Sequence, residues 1–337
     1  MRRTQRYHTH QWGIFRLQSR IALVAIANGL GHLRRQLILY RYLVEVGEDV
    51  TLFCNTSDLK KLTTDLDINA SNLIIRVEDL ENNTNTTFFE SLKPLFQSFD
   101  YVISDNCIDI LQARSDAILY SSFFWHRSIK MPKAYSNKCE RLLAKYDTLI
   151  FADRLFKAPY LSEYKNVIEI GLFGSSNCNS QDKSDLLISF GHGDNVSNIF
   201  LDVASKAIKV AAKSDIKVWL EPRYFSKLAG ENTQIATYSR EMFSNILLGI
   251  VRPGVGTLTE LIAARSYALM FYEQSNLEMS HNASVMNSLG CGIDVTEEVR
   301  FESLLLNQLS NSATICPDYS NQFTGPEDLY REIKDRG

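Results

Sequence analysis

The chain has 337 residues and a formal net charge of −3, with 45% hydrophobic and 22% charged residues. That balance excludes a global basic field for nucleic acid, and no apolar run reaches the ~18 residues of a membrane span. At ~100–200 residues per domain, the length suits two domains, each with its own core.

Residues 1–19 carry Arg2, Arg3, Arg6, His8 and His10. They lack the apolar centre of a signal peptide, so they read as an N-terminal tail on a cytoplasmic protein. Strands and helices alternate from residue 20. Ile21–Ala27 (IALVAIA) is a continuous apolar run, expected of a strand buried on both faces. The turn Asn28–Gly31 and a helix over His32–Val46, stopped by Gly47, come next. Strands are expected at Val50–Cys54, Leu73–Val77, Tyr101–Ser104, Ala117–Tyr120 and Thr148–Ala152, with helices at Thr87–Phe99 and Lys133–Lys145. This is the βαβ rhythm of a doubly wound sheet.

Leu172–Ser184 (LFGSSNCNSQDKS) is polar and turn-like, the best linker between the two halves. The rhythm then restarts, with strands at Leu186–Phe190, Ile216–Leu220, Asn245–Val251, Ala268–Tyr272 and Gly292–Val295. Helices are expected at Ser197–Ala212, Thr257–Ala264, Glu278–Leu289, Glu297–Leu309 and Glu327–Asp335. The expectation is an α/β protein of two Rossmann-like doubly wound domains facing across a cleft: residues 20–171, a linker 172–184, residues 185–322, and a closing helix in 323–337. Ligands of such sheets sit at the carboxyl ends of strands. The six cysteines, Cys54, Cys107, Cys139, Cys178, Cys291 and Cys316, are scattered without a Cys-x-x-Cys pair and read as reduced core or surface thiols, with zinc or disulfides as the alternative.

Four loops carry polar chemistry. In Asn28-Gly29-Leu30-Gly31-His32, the glycines allow a sharp turn and His32 falls at the helix start, where a neutral imidazole can serve as a base. Arg34 occupies the third glycine position of the dinucleotide fingerprint, which disfavours a nicotinamide enzyme. Arg252-Pro253-Gly254-Val255-Gly256-Thr257 leads into a helix bearing Glu260, a pattern suited to a diphosphate on the helix start and a carboxylate for ribose hydroxyls. Gly191-His192-Gly193 repeats a phosphate-adjacent turn. Asp105, after one strand, could orient His32 or bind an acceptor hydroxyl, and Trp125 and His126 follow the next. Polar residues Glu278, His281 and Asn282 complete the late block.

Gly29-Leu30-Gly31-His32 early, Arg252 through Glu260 late, and the segment ending His281-Asn282-Ala283 resemble a GT-B glycosyltransferase, in particular glycosyltransferase family 28 and its UDP-sugar hydrolase relatives. The resemblance covers most of residues 20–310. It implies Glu260 on the donor ribose, Gly254, Gly256 and Thr257 along the diphosphate, with Arg252, Gly191, His192 and His281 beside the donor. Glu278 and Asn282 face the donor sugar and His32 is the base, with Asp105 as its partner. Gly29, Gly31 and His126 belong to the phosphate and acceptor loops. Where many members have a Gln pair, this chain has Glu278 and Met279. The closing helix usually crosses back onto the first domain. The expected activity is inverting transfer from a nucleotide-diphosphate sugar, UDP-linked by the resemblance, to a saccharide, lipid-linked or small-molecule hydroxyl. The donor is a substrate, and no cofactor, metal or nucleic acid is expected. Hydrolysis with water as acceptor, and nucleotide-sugar binding without catalysis, stay open, as does peripheral membrane contact through a small apolar or basic patch.

Overall fold

The computed structural model describes residues 18–25, 30–54, 86–174, 183–191, 198–296, 301–310 and 315–336. In β1 (Arg20–Ala25) every residue after Arg20 is buried, as a strand covered on both faces requires. α1 (Leu30–Glu45) lays Leu33, Leu37 and Leu43 into the core and ends ahead of Gly47, whose φ of +90° only glycine adopts easily. β2 (Asp49–Phe53), α2 (Thr86–Ser91), α3 (Lys93–Phe96) and β3 (Tyr101–Asp105) follow. Next come β4 (Ile118–Tyr120), α4 (Trp125–Ser128), α5 (Lys133–Tyr146), β5 (Ile150–Asp153) and β6 (Val167–Ile170). These strands form one parallel sheet in the order β2-β1-β3-β4-β5-β6.

The second half runs β7 (Asp185–Ser189), α6 (Asn198–Lys213), β8 (Val218–Leu220), α7 (Pro222–Leu228), β9 (Thr233–Ile235), α8 (Arg240–Asn245) and β10 (Ile246–Val251). It ends with α9 (Val255–Ala263), β11 (Tyr267–Met270), α10 (Leu277–Ser288), β12 (Gly292–Asp294), α11 (Phe301–Ser310) and α12 (Gly325–Arg336). Its parallel sheet has the order β12-β11-β10-β7-β8-β9. Each sheet is covered by an apolar cluster on both faces. The strand order reverses beside β1 in one sheet and beside β7 in the other. The loops after β1 and β3, and after β7 and β10, therefore open at the switch points where such sheets hold ligands.

Several expectations shift. The helix over Thr87–Phe99 is interrupted at Leu92, because Pro94 lacks an N–H and begins a new short helix. The short elements β6, α7, β9 and α8 escape the sequence pattern. The strand at Leu73–Val77 lies outside the described residues. The start of the linker is core: Leu172 and Phe173 are buried, and Leu172 N donates to Gln322 O at 2.6 Å while Gly325 N donates to Leu172 O at 3.2 Å. From this seam α12 packs Leu329, Tyr330 and Ile333 into the core that holds α1. Tyr330 Oη donates to Glu48 Oε1 at 2.6 Å, and Lys334 Nζ lies 2.8 Å from the same oxygen. The reading of all cysteines as reduced is also corrected, because Cys291 and Cys316 form a disulfide. The return of the chain beside Arg265, whose carbonyl accepts from Cys316 N, brings two thiols together that are 25 residues apart. Cys54, Cys107 and Cys139 are buried thiols, and Cys178 lies outside the described residues.

Candidate active site

Parallel pairing sets Ala25, the last residue of β1, opposite Asp105, the last residue of β3. Asp105 thus emerges beside the helix that β1 feeds. α1 has no acidic residue in its first turn, and Asp105 supplies the carboxylate from the neighbouring strand. His32 Nδ1 lies 2.7 Å from Asp105 Oδ1, and Arg35 grips both oxygens of the same carboxylate, Nε to Oδ2 at 3.0 Å and Nη2 to Oδ1 at 2.9 Å. Arg35 Nη2 also lies 2.9 Å from His32 Nδ1. Guanidinium only donates, and Nη2 carries two protons, one of which goes to Asp105. With Nδ1 donating to Asp105 Oδ1, the lone pair falls to Nε2, the tautomer of a general base.

Burial alone would raise the Asp105 carboxyl, but Arg35 and then His32 outweigh it and hold it below its usual value. A second buried carboxyl behind it goes the other way: burial raises Asp153, despite Arg35 and hydrogen bonds from Tyr120 Oη at 2.5 Å and Ser122 Oγ at 2.7 Å. The edge of Trp125 meets His32 with ring centroids 5.5 Å apart. Asn106, with its amide turned so that Nδ2 faces Phe123 O, accepts from Trp125 Nε1 at 3.3 Å and so sets the indole.

The opposite wall is the start of α9. Gly254 at its N-cap offers no side-chain cap, so the first backbone N–H groups and the helix dipole face outward. A Cβ on Gly256 would sit 3.4 Å from the Gly31 Cα, so the starts of α1 and α9 abut. Thr257 is half-buried beside them. Glu260, 8% exposed, does not wait alone for a ligand as the sequence suggests: Arg34 Nε donates to its Oε1 at 2.8 Å, and Arg34 Nη1 donates to Tyr238 O at 3.1 Å.

The first turn of α10 is capped by Asn276, whose Oδ1 accepts from Met279 N at 3.2 Å. A pocket lies between this turn and the first half, lined by Glu278, His281, Phe123, Phe156, Pro159 and Tyr160 among others. Burial pushes the Glu278 carboxyl up to about 8, with Arg252 and Arg35 pulling against it. His281 is lowered by burial, against backbone bonds at Lys157 and Phe156, and its Nε2 has no hydrogen-bond partner. Asn282 Nδ2 donates to Pro253 O at 2.9 Å, so this buried amide holds the turn before α9. Arg252 Nη2 lies 3.2 Å from Glu273 Oε2.

His126 Nε2 meets Glu140 Oε1 at 2.9 Å, in a cluster with Arg127 and Tyr164. Gly191 has φ +73°, and the buried Glu221 at the end of β8 accepts from the neighbouring Phe190 N at 3.0 Å. Gly29 and His192 lie outside the described residues. Sequence reading missed the roles of Arg34, Arg35 and Glu221. For the two arginines the signal was present: i, i+3 spacing from His32 places Arg35 one turn above it. Among the described residues no three His, Cys, Asp or Glu side chains converge as metal ligands.

No protein-family model and no curated protein sequence matches the chain. Solved structures do. The spinosyn forosaminyltransferase SpnP superposes over 94% of this chain and 95% of its own at 13% identity, with a TM-score of 0.59. Arabidopsis thaliana UGT89C1, complexed with UDP, matches 94% of this chain and 100% of its own at 10% identity, TM-score 0.62. The spinosyn rhamnosyltransferase SpnG, complexed with thymidine diphosphate, covers 94% and 100% at 14% identity, TM-score 0.59. At these identities the likeness carries the fold and does not single out family 28. The paired six-stranded parallel sheets with flanking helices, superposed over nearly the whole chain, have the GT-B architecture of these glycosyltransferases.

Proposed function

We propose that the chain is an inverting glycosyltransferase that moves a sugar from a nucleotide-diphosphate sugar, UDP-linked in the first instance, to an acceptor hydroxyl. One observation carries this reading: a buried His32–Asp105 pair at the start of α1 stands against the uncapped start of α9. His32 Nε2 takes the acceptor proton as the hydroxyl oxygen attacks the anomeric carbon. The bond from that carbon to the diphosphate oxygen breaks on the opposite face, and the electron pair leaves with the nucleoside diphosphate. The first N–H groups of α9 meet the growing negative charge, in the manner of a preorganised anion site. In this reading the helix start supplies the electrostatic work and no resident metal or cofactor is required. Glu260 accepts from the ribose hydroxyls, and Glu278 faces the donor sugar.

A panel of nucleotide-diphosphate sugars tests it. A true donor raises the melting temperature, since a ligand at 100 times its Kd stabilises by ~2.7 kcal/mol. Magnetic resonance of the donor with and without candidate hydroxyl acceptors then follows the anomeric carbon. A new glycoside of inverted configuration supports the proposal. Release of free sugar alone would assign the site to hydrolysis, and no response to any uridine or thymidine diphosphate sugar would sink it.

A further inference from the structure

Arg34 and Glu260 belong to opposite halves of the molecule, 226 residues apart, yet their side chains are 12% and 10% exposed and joined at 2.8 Å. An isolated carboxylate buried this deeply is costly, and a charged partner offsets that cost only with good geometry. Arg34 meets the requirement with two directional bonds, Nε to Glu260 Oε1 and Nη1 to Tyr238 O. The second anchors the guanidinium to the second half independently of the carboxylate. A carboxylate accepts through both oxygens, and among the described residues Glu260 Oε2 has no partner. The donor carboxylate is therefore held by one oxygen, from across the cleft, with the other left to accept.

We propose that Arg34 is a positioning residue for the nucleoside of the donor: it fixes the Glu260 carboxylate so that Oε2 accepts from the ribose hydroxyls of a nucleoside diphosphate. This rests on the reading that Glu260 binds ribose. Two consequences follow from the connectivity. The ribose site is complete only when the two halves are together. And because Arg34 is two residues beyond His32 on α1, the same helix that carries the base also completes the donor site, so donor binding and placement of His32 are coupled through one rigid element.

Isothermal titration with UDP and with 2′,3′-dideoxy-UDP separates the claims. The wild type should prefer UDP by about tenfold or more, the value of one hydrogen bond to a charged group. Glu260→Gln should lose most of that preference, which tests the underlying reading. Arg34→Gln should lose it too, while its affinity for the dideoxy compound changes by less than about threefold, well under the value of one such bond. Arg34→Lys, which keeps the charge but not both bonds, should recover part of the preference. It also serves if Arg34→Gln does not fold, because an undiminished preference in the lysine variant counts against the proposal. A preference that survives in Arg34→Gln, or tighter UDP binding there, overturns the role of Arg34 and leaves Glu260 standing. A preference that survives in Glu260→Gln, or is absent from the wild type, overturns the ribose reading and the proposal with it. A general loss for both ligands in Arg34→Gln marks a merely structural ion pair and also overturns it.

Discussion

His32 and Asp105, 73 residues apart in sequence, are joined at 2.7 Å because the ends of β1 and β3 are neighbours in register. Asp105 is fully buried and shared with Arg35, so its charge is already balanced before His32 gains a proton. The carboxylate therefore orients the imidazole.

Removing that base should show first in turnover. His32→Ala should lower kcat by roughly 10²–10⁴-fold with donor affinity nearly unchanged, the usual contribution of general base catalysis. Asp105→Asn should cost turnover similarly through the wrong tautomer. It should also destabilise the fold by ~3–5 kcal/mol, because it leaves Arg35 buried without its counter-charge. Steady-state kinetics with chemical denaturation separate the two effects. His32→Ala with turnover within a few fold of wild type would remove His32 from the mechanism.

Glu278 should make stability depend on pH. Its carboxyl is raised to about 8 in the folded chain, above its unfolded value of ~4.3. The folded state then holds a proton that the unfolded state has lost, so stability falls as pH rises from the unfolded value through about 8. Glu278→Gln abolishes this term. Its melting temperature should exceed that of the wild type at pH 9, with the difference shrinking toward zero near pH 4. A pH-independent difference would show that Glu278 does not titrate in that range.

Asn282→Ala should loosen the turn that leads into α9. The bond to Pro253 O is buried, and its loss leaves a carbonyl without a donor, costing ~1–3 kcal/mol. Because that turn sets the start of α9, the affinity for a nucleoside diphosphate should fall as well. Urea denaturation and titration together check this, and unchanged affinity would uncouple the turn from the ligand.

The seam where the chain returns to the first half should tolerate no side chain. A Cβ on Gly171 would lie 2.5 Å from Gln322 O and 2.7 Å from Thr324 N, both of which must move. Gly171→Ala should therefore cost ~1–3 kcal/mol through overpacking. Gly47→Ala provides contrast: nothing stands within 4 Å of its Cβ, and the cost there comes only from its φ of +90°. Thermal denaturation of both variants, followed by limited proteolysis near residue 172, reads whether the seam opens.

Much of the architecture was legible in the sequence because burial leaves a periodic trace. Runs such as IALVA and ILLGIV carry no charged or polar side chain, which only a strand covered on both faces sustains, and each is followed by a glycine turn and a helix. The alternation predicts two doubly wound sheets, with His32 in the first turn of one helix and Glu260 in the second turn of another. Elements of three or four residues, such as β9 and α4, carry too little pattern to be read. The disulfide was hidden because cysteine spacing says nothing about which loops meet.

By itself, the sequence determined which residues sit at strand ends, since local periodicity and turn chemistry are properties of short segments. Only the tertiary structure decided which of those ends meet. Parallel register brought Asp105 to His32, the abutting helix starts gave Arg34 to Glu260, and the geometry of one turn assigned Asn282 to Pro253 O. The physical reason is that a buried charge or amide must be satisfied by whatever the fold brings within ~3 Å. Those partners are fixed by strand order and by the contact between halves, which no local pattern encodes.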